Sequence, residues 1–392
     1  MTESARKASQ YAVARVSLVR AMDQGGVVLS SHLAEAFLNT PRHPFVPVFY
    51  RREGEHFSPR GNTGTDTAGW LAQVYSDDSL ITEVAGVHAE DAGARSVTGA
   101  PTSSSTAPSL MADMLDALDV RKGARVLEVG TGTGYNAALL CHLAGAENVT
   151  TVDRSERLTH AARDRLATLG VRPAVRCEDG SKGVPSRAPF DRIIGTCSVR
   201  RIPSSWFDQL APGGIMVVPI KGALAGGMLA RLKKREDGTA AGHILHTPAA
   251  FMPLLSGNQE QHQEPEATGG TTRDSRISGK VLDDWTFSFF AELHLDPGTV
   301  RTYHRDADGT HVTTMFTPLD GSCARVTEQP EGAGARVRVS GPRDLWALVE
   351  RAHEHWLSLN RPRREWFTIT ASPEGQTVAY TDPSGEVNRW SP

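Results

Sequence analysis

The sequence is poor in cysteine, in aromatic residues and in net charge, and it has no long apolar run. Its 4 cysteines are Cys141, Cys177, Cys197 and Cys323, and no two have the spacing of a metal-ligand pair. A chain of 392 residues needs no disulfide framework to hold a core, so reduced thiols in a cytoplasmic protein are expected, with no metal site. No stretch approaches the roughly 18 apolar residues of a membrane span. Met1 leads into the polar "TESARKASQ" rather than an apolar signal core, so no membrane partner is expected. The formal net charge of −3 exerts no general attraction on nucleic acid, and none is expected as a partner. What remains is an ordinary composition, 39% hydrophobic and 22% charged, in a chain long enough for two cores.

Tyr11, Val13, Val16, Leu18 and Val19 recur at helical spacing and predict a helix over Arg6–Met22, stopped at Gly25-Gly26. A shorter helix is expected over Ser31–Leu38. The prolines of "NTPRHPFVP" then enforce an extended path, and the Gly/Thr-rich Glu53–Thr67 reads as a mobile loop. From about Ser109, helices alternate with short apolar strands: "ARVLEV", "NVTTVD", "AVRCED", "FDRIIGTCS" and "GIMVVPI". That alternation predicts a parallel sheet with helices on both faces. Ser256–Lys280 holds almost nothing to bury and reads as a linker. Beyond it, β-like stretches surround one amphipathic helix, about Arg343–Leu359, with Leu345, Leu348, Val349, Ala352 and Trp356 on one face. Domains are therefore expected at 1–255 and 281–392, joined by 256–280.

The chemistry concentrates in "VLEVGTGTGYNAALL", residues Val126–Leu140. Gly130, Gly132 and Gly134 let the backbone turn sharply and approach a ligand without Cβ interference. In a doubly wound sheet, such a turn lies at the carboxyl ends of the strands, beside a positive helix N-terminus. The dinucleotide pattern G-x-G-x-x-G is broken, because the last glycine comes one residue early and Tyr135 takes its place. No Lys-Ser/Thr pair follows, which excludes a phosphate loop. Acidic residues are placed instead for a nucleoside. Glu128 lies beside the turn, Asp153 ends the second strand where a carboxylate can accept from ribose hydroxyls, and Asp179 ends the third, within reach of an adenine amino group. S-Adenosylmethionine fits this set, since carboxylates stabilise a sulfonium and repel a pyrophosphate. The cofactor-binding residues are expected to be Glu128, Gly130, Thr131, Gly132, Gly134, Tyr135, Asp153, Arg154, Asp179 and Gly180.

These residues closely resemble the class I methyltransferases. The resemblance implies a Rossmann-like doubly wound α/β sheet, with N-terminal helices and a second, smaller α+β C-terminal domain. Just upstream, "TSSSTAPSLMADMLDAL" resembles the segment that opens the fold in protein L-isoaspartate O-methyltransferases. "HPFVP", "VYSDDSLIT" and "FDQLAPGGIMVVPI" are similar to the same family, over about Leu33–Ile220. The resemblance implies that Ser104, Ser105 and Thr106 hold an acceptor carboxylate, with Thr106 in the place of the key serine, and that Asp77 and Ser198 contact substrate. An ionised carboxylate needs no general base; the enzyme must align the reacting atoms and exclude water. The other reading of "SSST" is an N-cap and turn before the next helix.

The ending, with Trp356, Arg361-Pro362, Phe367 and Gly375-Gln376, looks like methyltransferases that accompany ATP-grasp peptide-maturation systems (graspetides). That resemblance implies esterification of an aspartate in a ribosomal precursor peptide, constrained by ester or amide crosslinks, leading to aspartimide and in some cases to isoaspartate. General isoaspartate repair and a non-catalytic peptide-binding scaffold are the alternatives. Arg361, Arg363 and Arg364 could grip an acidic peptide or form a solvated face. Trp346, Trp356 and Trp366 could line a groove or pack a core. His353 and His355, two apart on a helix, make no metal pair.

Overall fold

The computed structural model describes residues 3–391 apart from 63, 65, 223, 225, 256–268, 297, 307 and 330–333. The chain forms two compact units, Met1–Cys197 with Asp208–Val217, and Ser198–Phe207 with Val218–Pro392.

The first unit opens with α1 (Glu3–Gln24) and α2 (Ser31–Asn39). A small antiparallel sheet follows, built from β1 (Val48–Glu53), β2 (His56–Gly61), β3 (Leu80–Val84), β4 (Val87–His88), β5 (Val97–Thr98) and β6 (Pro101–Ser105), with α3 (Thr67–Val74) between β2 and β3. The mobile loop expected over Glu53–Thr67 is thus largely wrong. His56–Gly61 pairs residue for residue with β1, and Phe57 enters a cluster with Tyr50, Val84, Ala89 and Ala92. Pro59 lacks an N–H but is tolerated, since β5 reaches only His56 and Phe57 on that side of the strand.

After α4 (Pro108–Leu118) comes the parallel sheet: β7 (Val126–Val129), α5 (Tyr135–Ala144), β8 (Val149–Asp153), α6 (Glu156–Thr168), β9 (Ala174–Cys177) and β10 (Phe190–Gly195). The unit boundary then passes through α7 (Ser204–Gln209) and β11 (Leu210–Ile220). Within the first unit the parallel order is β11-β10-β7-β8-β9. β7 is buried throughout, as a strand covered on both faces must be. The chain runs outward from β7 to β9, then returns to β10 on the other side. The turn after β7 therefore lies at the topological switch point, where open α/β sheets bind ligands. Ser155 caps α6, its Oγ accepting from the Leu158 N–H at 3.2 Å.

The second unit contains β12 (Met228–Lys234), β13 (Ala240–Pro248), β14 (Thr271–Ser275), α8 (Trp285–Glu292), β15 (Val300–Arg305), β16 (His311–Phe316), β17 (Cys323–Glu328), β18 (Ala335–Ser340), α9 (Leu345–Ser358), β19 (Thr368–Ser372), β20 (Gly375–Thr381) and β21 (Val387–Trp390). One antiparallel run is β21-β20-β19-β13-β12, and a separate sheet is β14-β18-β17-β16-β15. This corrects the expected boundaries. β12 and β13 belong with the C-terminal strands because Ala240–His243 pairs with Thr368–Ala371, a contact of long sequence separation that no local pattern announces. Of the expected linker, 256–268 lies outside the described residues. Thr271–Ser275 forms the edge strand β14, in five-residue register with β18. Its Arg273 is anchored by Asp344 at 2.8 Å and Glu350 at 2.7 Å. The amphipathic helix is α9, with Leu345, Val349, Ala352 and Trp356 buried and Asp344 as its cap.

Candidate active site

The bare turn is built by close approach. β7 ends at Val129, and Gly130 bends the chain with φ +105°. A Cβ on Gly130 would lie 2.5 Å from Thr196 Oγ1, which rests against the Val129 and Gly130 carbonyl oxygens at 3.0 and 2.5 Å. No side chain fits there, and Thr196 is a wall of the turn that sequence reasoning missed. The Gly132 N–H donates to Asp153 Oδ2 at 3.0 Å, and the Ser155 N–H donates to Oδ1 at 3.0 Å. These backbone donors, joined by the Arg154 N–H, aim the carboxylate at the turn. Burial pushes this carboxyl above its ordinary range, against the pull of those same N–H groups. At Gly134, a Cβ would meet Ala162 Cβ at 3.0 Å, so the last glycine lets α5 start tight against α6.

Beneath the turn runs a polar chain. Thr131 Oγ1 pairs with Thr151 Oγ1 at 2.7 Å. Thr151 in turn donates to Glu128 Oε2 at 2.6 Å, and Asn136 Nδ2 donates to Glu128 Oε1 at 2.7 Å. Glu128 has no exposed surface, so it supports the turn from below rather than touching a ligand. Tyr135 is corrected in the same way: its ring is buried between Phe37 and Phe45. Both were placed in the site by their sequence position beside the glycines, which says nothing of which way a side chain points.

Burial pushes the Glu128 carboxyl up to about 7, despite its Thr151 and Asn136 hydrogen bonds. A folded-state value above the ordinary 4.5 means the native state holds this proton more tightly than the unfolded chain. The stabilisation is complete below the ordinary value and is lost as pH rises through about 7. Glu128→Gln is expected to remove that slope, which amounts to about 3 kcal/mol across the window. Urea titrations of both proteins at several pH values check it; parallel curves for the two would show that Glu128 is not held protonated.

The end of β6, which carries the predicted hydroxyls, lies beside this turn. The Ser104 carbonyl oxygen lies 3.6 Å from where a Cβ on Gly132 would stand, so the end of β6 meets the glycines. Ser105 is buried, with its Oγ 3.4 Å from Arg42 Nε. Thr106 is half-buried, and its hydroxyl makes no hydrogen bond among the described residues. The N-cap reading of "SSST" does not hold. The cap position of α4 is Ala107, and Asp77 reaches across instead, accepting from the Ser109 N–H at 2.7 Å and hydroxyl at 2.5 Å. Thr106 is thereby left available for a ligand, while both oxygens of Asp77, predicted to contact substrate, are engaged by Ser109.

Asp179 accepts from the Ser181 N–H and hydroxyl at 3.0 and 2.8 Å, which holds its carboxyl below the usual range. It caps the short turn Gly180–Lys182, in which Gly180 is buried. Arg154 is exposed beside Asp153. In the second unit, the Ser198 hydroxyl donates to the Phe251 carbonyl at 3.0 Å. The basic run there is divided: Arg364 is buried against the His246 carbonyl, Arg363 pairs with Glu365 at 2.5 Å, and Arg361 lies over the Trp356 ring. Trp346 and Trp356 are core, whereas Trp366 is 51% exposed.

Among the described residues no group of three His, Cys, Asp or Glu is placed to hold a metal, and no helix is long and apolar enough to cross a membrane. Residues 90–259 match the protein-L-isoaspartate(D-aspartate) O-methyltransferase (PCMT) family. The protein-L-isoaspartate O-methyltransferase of Ignicoccus hospitalis is 34% identical over 240 residues, 61% of this chain and 95% of that protein. The enzyme of the same name from Methanopyrus kandleri is 34% identical over 261 residues, 65% of this chain and 96% of its own length. This chain belongs to the protein-L-isoaspartate O-methyltransferase family. A solved structure of that name shares the fold, with a TM-score of 0.54 and 23% identity over 94% of this chain and 99% of its own.

As a member of that family the chain is an S-adenosylmethionine-dependent protein carboxyl O-methyltransferase. The cofactor fits the residues present. Gly132 leaves space that a Cβ would fill, and the Asp153 carboxylate lies beside it. When bound, S-adenosylmethionine supplies an electrophilic methyl group on a sulfonium. The chain's own part is to hold that group at the turn and to align it with an acceptor carboxylate, with water excluded.

Proposed function

We propose that the acceptor is an aspartate side chain in a ribosomally made precursor peptide, constrained by ester or amide crosslinks. A carboxylate oxygen takes the methyl group and becomes an ester. The backbone nitrogen of the following residue then attacks the ester carbonyl, losing its proton and expelling methanol, and an aspartimide remains. Water opens that ring to isoaspartate or aspartate. Thr106 supports an acceptor carboxylate of this kind, because its unused hydroxyl can donate to it without protonating it. The peptide-specific reading looks to the chain outside the segment that the archaeal relatives match in sequence, a length that the solved structure of the family name shares. Alignment to 95% of the Ignicoccus protein engages 61% of this chain. The remainder offers surface for selecting one peptide, including the exposed Trp366. The C-terminal resemblance to graspetide-associated methyltransferases supports the same assignment.

General repair of isoaspartyl sites is the second reading, favoured by the names of the two archaeal relatives. Mass spectrometry on the full chain with S-adenosylmethionine separates the two. A crosslinked precursor carrying only normal aspartate is expected to gain one methyl group, then show a net loss of one water. Efficient methylation of linear isoaspartyl peptides, with the precursor untouched, would establish repair instead.

A further inference from the structure

Arg42 is fully buried, and it joins the two walls of the site. It stands in "PRHPFVP", a cation among prolines and apolar residues, which is the one sequence signal that could have singled it out. Its Nη1 donates to the carbonyls of Val74 at 3.1 Å and Ser76 at 2.9 Å. Its Nη2 donates to those of Asp78 at 2.9 Å and Thr106 at 3.1 Å, and Nε points to Ser105 Oγ at 3.4 Å. All five guanidinium hydrogens are thereby used, four of them on backbone carbonyls. No carboxylate forms an ion pair with it among the described residues. The guanidinium carbon also lies 5.9 Å from the centroid of the Tyr135 ring. Tyr135 is the first residue of α5, directly after the glycine turn, and the Arg42 N–H donates to Tyr75 Oη at 3.2 Å.

We propose that Arg42 is a positioning residue for methyl transfer, a rigid fork that sets the distance between the acceptor strand at Ser105–Thr106 and the donor turn at Gly130–Gly134. The inference rests on the reading of Thr106 as holding the acceptor carboxylate. Only a planar group with five fixed donors can satisfy carbonyls from the 74–78 segment and from 105–106 together while stacking on Tyr135; a lysine has three donors on one nitrogen and no face. Burial lowers the guanidinium to about 10, with Tyr135, Asp77, Tyr75 and Asp78 opposing the shift, so it stays charged at neutral pH. Displacement of acceptor against donor by about 1 Å is enough to slow transfer about 100-fold.

The test compares Arg42→Lys, Arg42→Ala and Thr106→Val in the full chain, with a carboxylate peptide as acceptor and S-adenosylhomocysteine as binding probe. Arg42→Lys is expected to lower kcat about 30- to 100-fold while KM for S-adenosylmethionine and the affinity for S-adenosylhomocysteine stay within about threefold. Guanidinium or methylguanidinium ion, added to Arg42→Ala, is expected to restore part of kcat by refilling the ring of carbonyls. If Arg42→Ala does not fold, the Arg42→Lys comparison decides alone. Arg42→Lys with unchanged kcat, or with cofactor affinity falling in step with kcat, would overturn the proposal. Thr106→Val separates the two inferences: if it alone leaves kcat unchanged, the carboxylate site is misread, whereas a defect there beside a normal Arg42→Lys refutes only the role of Arg42.

Discussion

Asp153→Ala is expected to weaken S-adenosylhomocysteine binding about 100- to 1000-fold. Each hydrogen bond to a charged acceptor contributes about 1.5–3 kcal/mol, and the carboxylate is placed to accept from two ribose hydroxyls. The same carboxylate fixes Gly132 through its N–H at 3.0 Å, so alanine also releases the turn that shapes the site. Asp153→Asn keeps one acceptor of the same shape but loses the charge, and a loss of about tenfold is expected. Calorimetric titration measures both, with circular dichroism to show that the variants fold. An Asp153→Ala protein binding as tightly as wild type would mean that the sugar is held elsewhere. Burial already raises the Asp153 carboxyl. Affinity is therefore expected to fall on acidification sooner than an exposed aspartate would dictate, because the protonated form accepts less well.

Gly130 and Gly132 are expected to differ sharply. Gly130→Ala places a Cβ 2.5 Å from Thr196 Oγ1 at φ +105°, a backbone region essentially closed to side chains. Thr196 cannot yield freely, since its hydroxyl is seated on the Val129 and Gly130 carbonyls. Strain and lost hydrogen bonding together cost about 3 kcal/mol or more, so cofactor affinity should fall at least about 100-fold. Gly132→Ala meets only the Ser104 carbonyl at 3.6 Å, at φ +51°, where alanine is strained but admissible. A loss of about tenfold or less is expected there. Equal effects at the two positions would contradict the geometry, since only Gly130 is hemmed in. The affinities of the two variants for S-adenosylhomocysteine, read beside their melting temperatures, decide it.

The doubly wound sheet was legible because its signals are local. Ser155 reads as a cap and is one, the apolar runs of β7, β8 and β10 are buried strands, and Gly170 lies just past α6 with φ +73°. Asp153 was legible for the same reason, as an acid ending a strand about 20 residues after a glycine turn. What could not be read depends on partners far along the chain. β13 finds β19, β14 finds β18, and β2 finds β1 through pairing that overrides a polar, glycine-rich composition. Side-chain direction was equally hidden. Glu128 and Tyr135 flank the glycines in sequence, yet both are buried beneath the site. Arg42 escaped notice because its partners are carbonyl oxygens, which leave no mark on composition. The cluster "SSST" resembled a helix cap, and only the structure shows Asp77 performing that task from another segment.

A carboxylate presented at the end of β6 to a nucleoside seated in the turn after Val129 is the proposed methyl acceptor. Labelled S-adenosylmethionine, with the label in the methyl group, tests it directly on an acidic peptide. Carboxyl methyl esters hydrolyse in mild alkali and release volatile methanol, whereas N-, S- and ether-linked methyl groups do not. The expected result is label that enters the peptide, leaves entirely as methanol on brief alkaline treatment, and fails to enter with the Asp153→Ala protein. Label that survives alkali would contradict it.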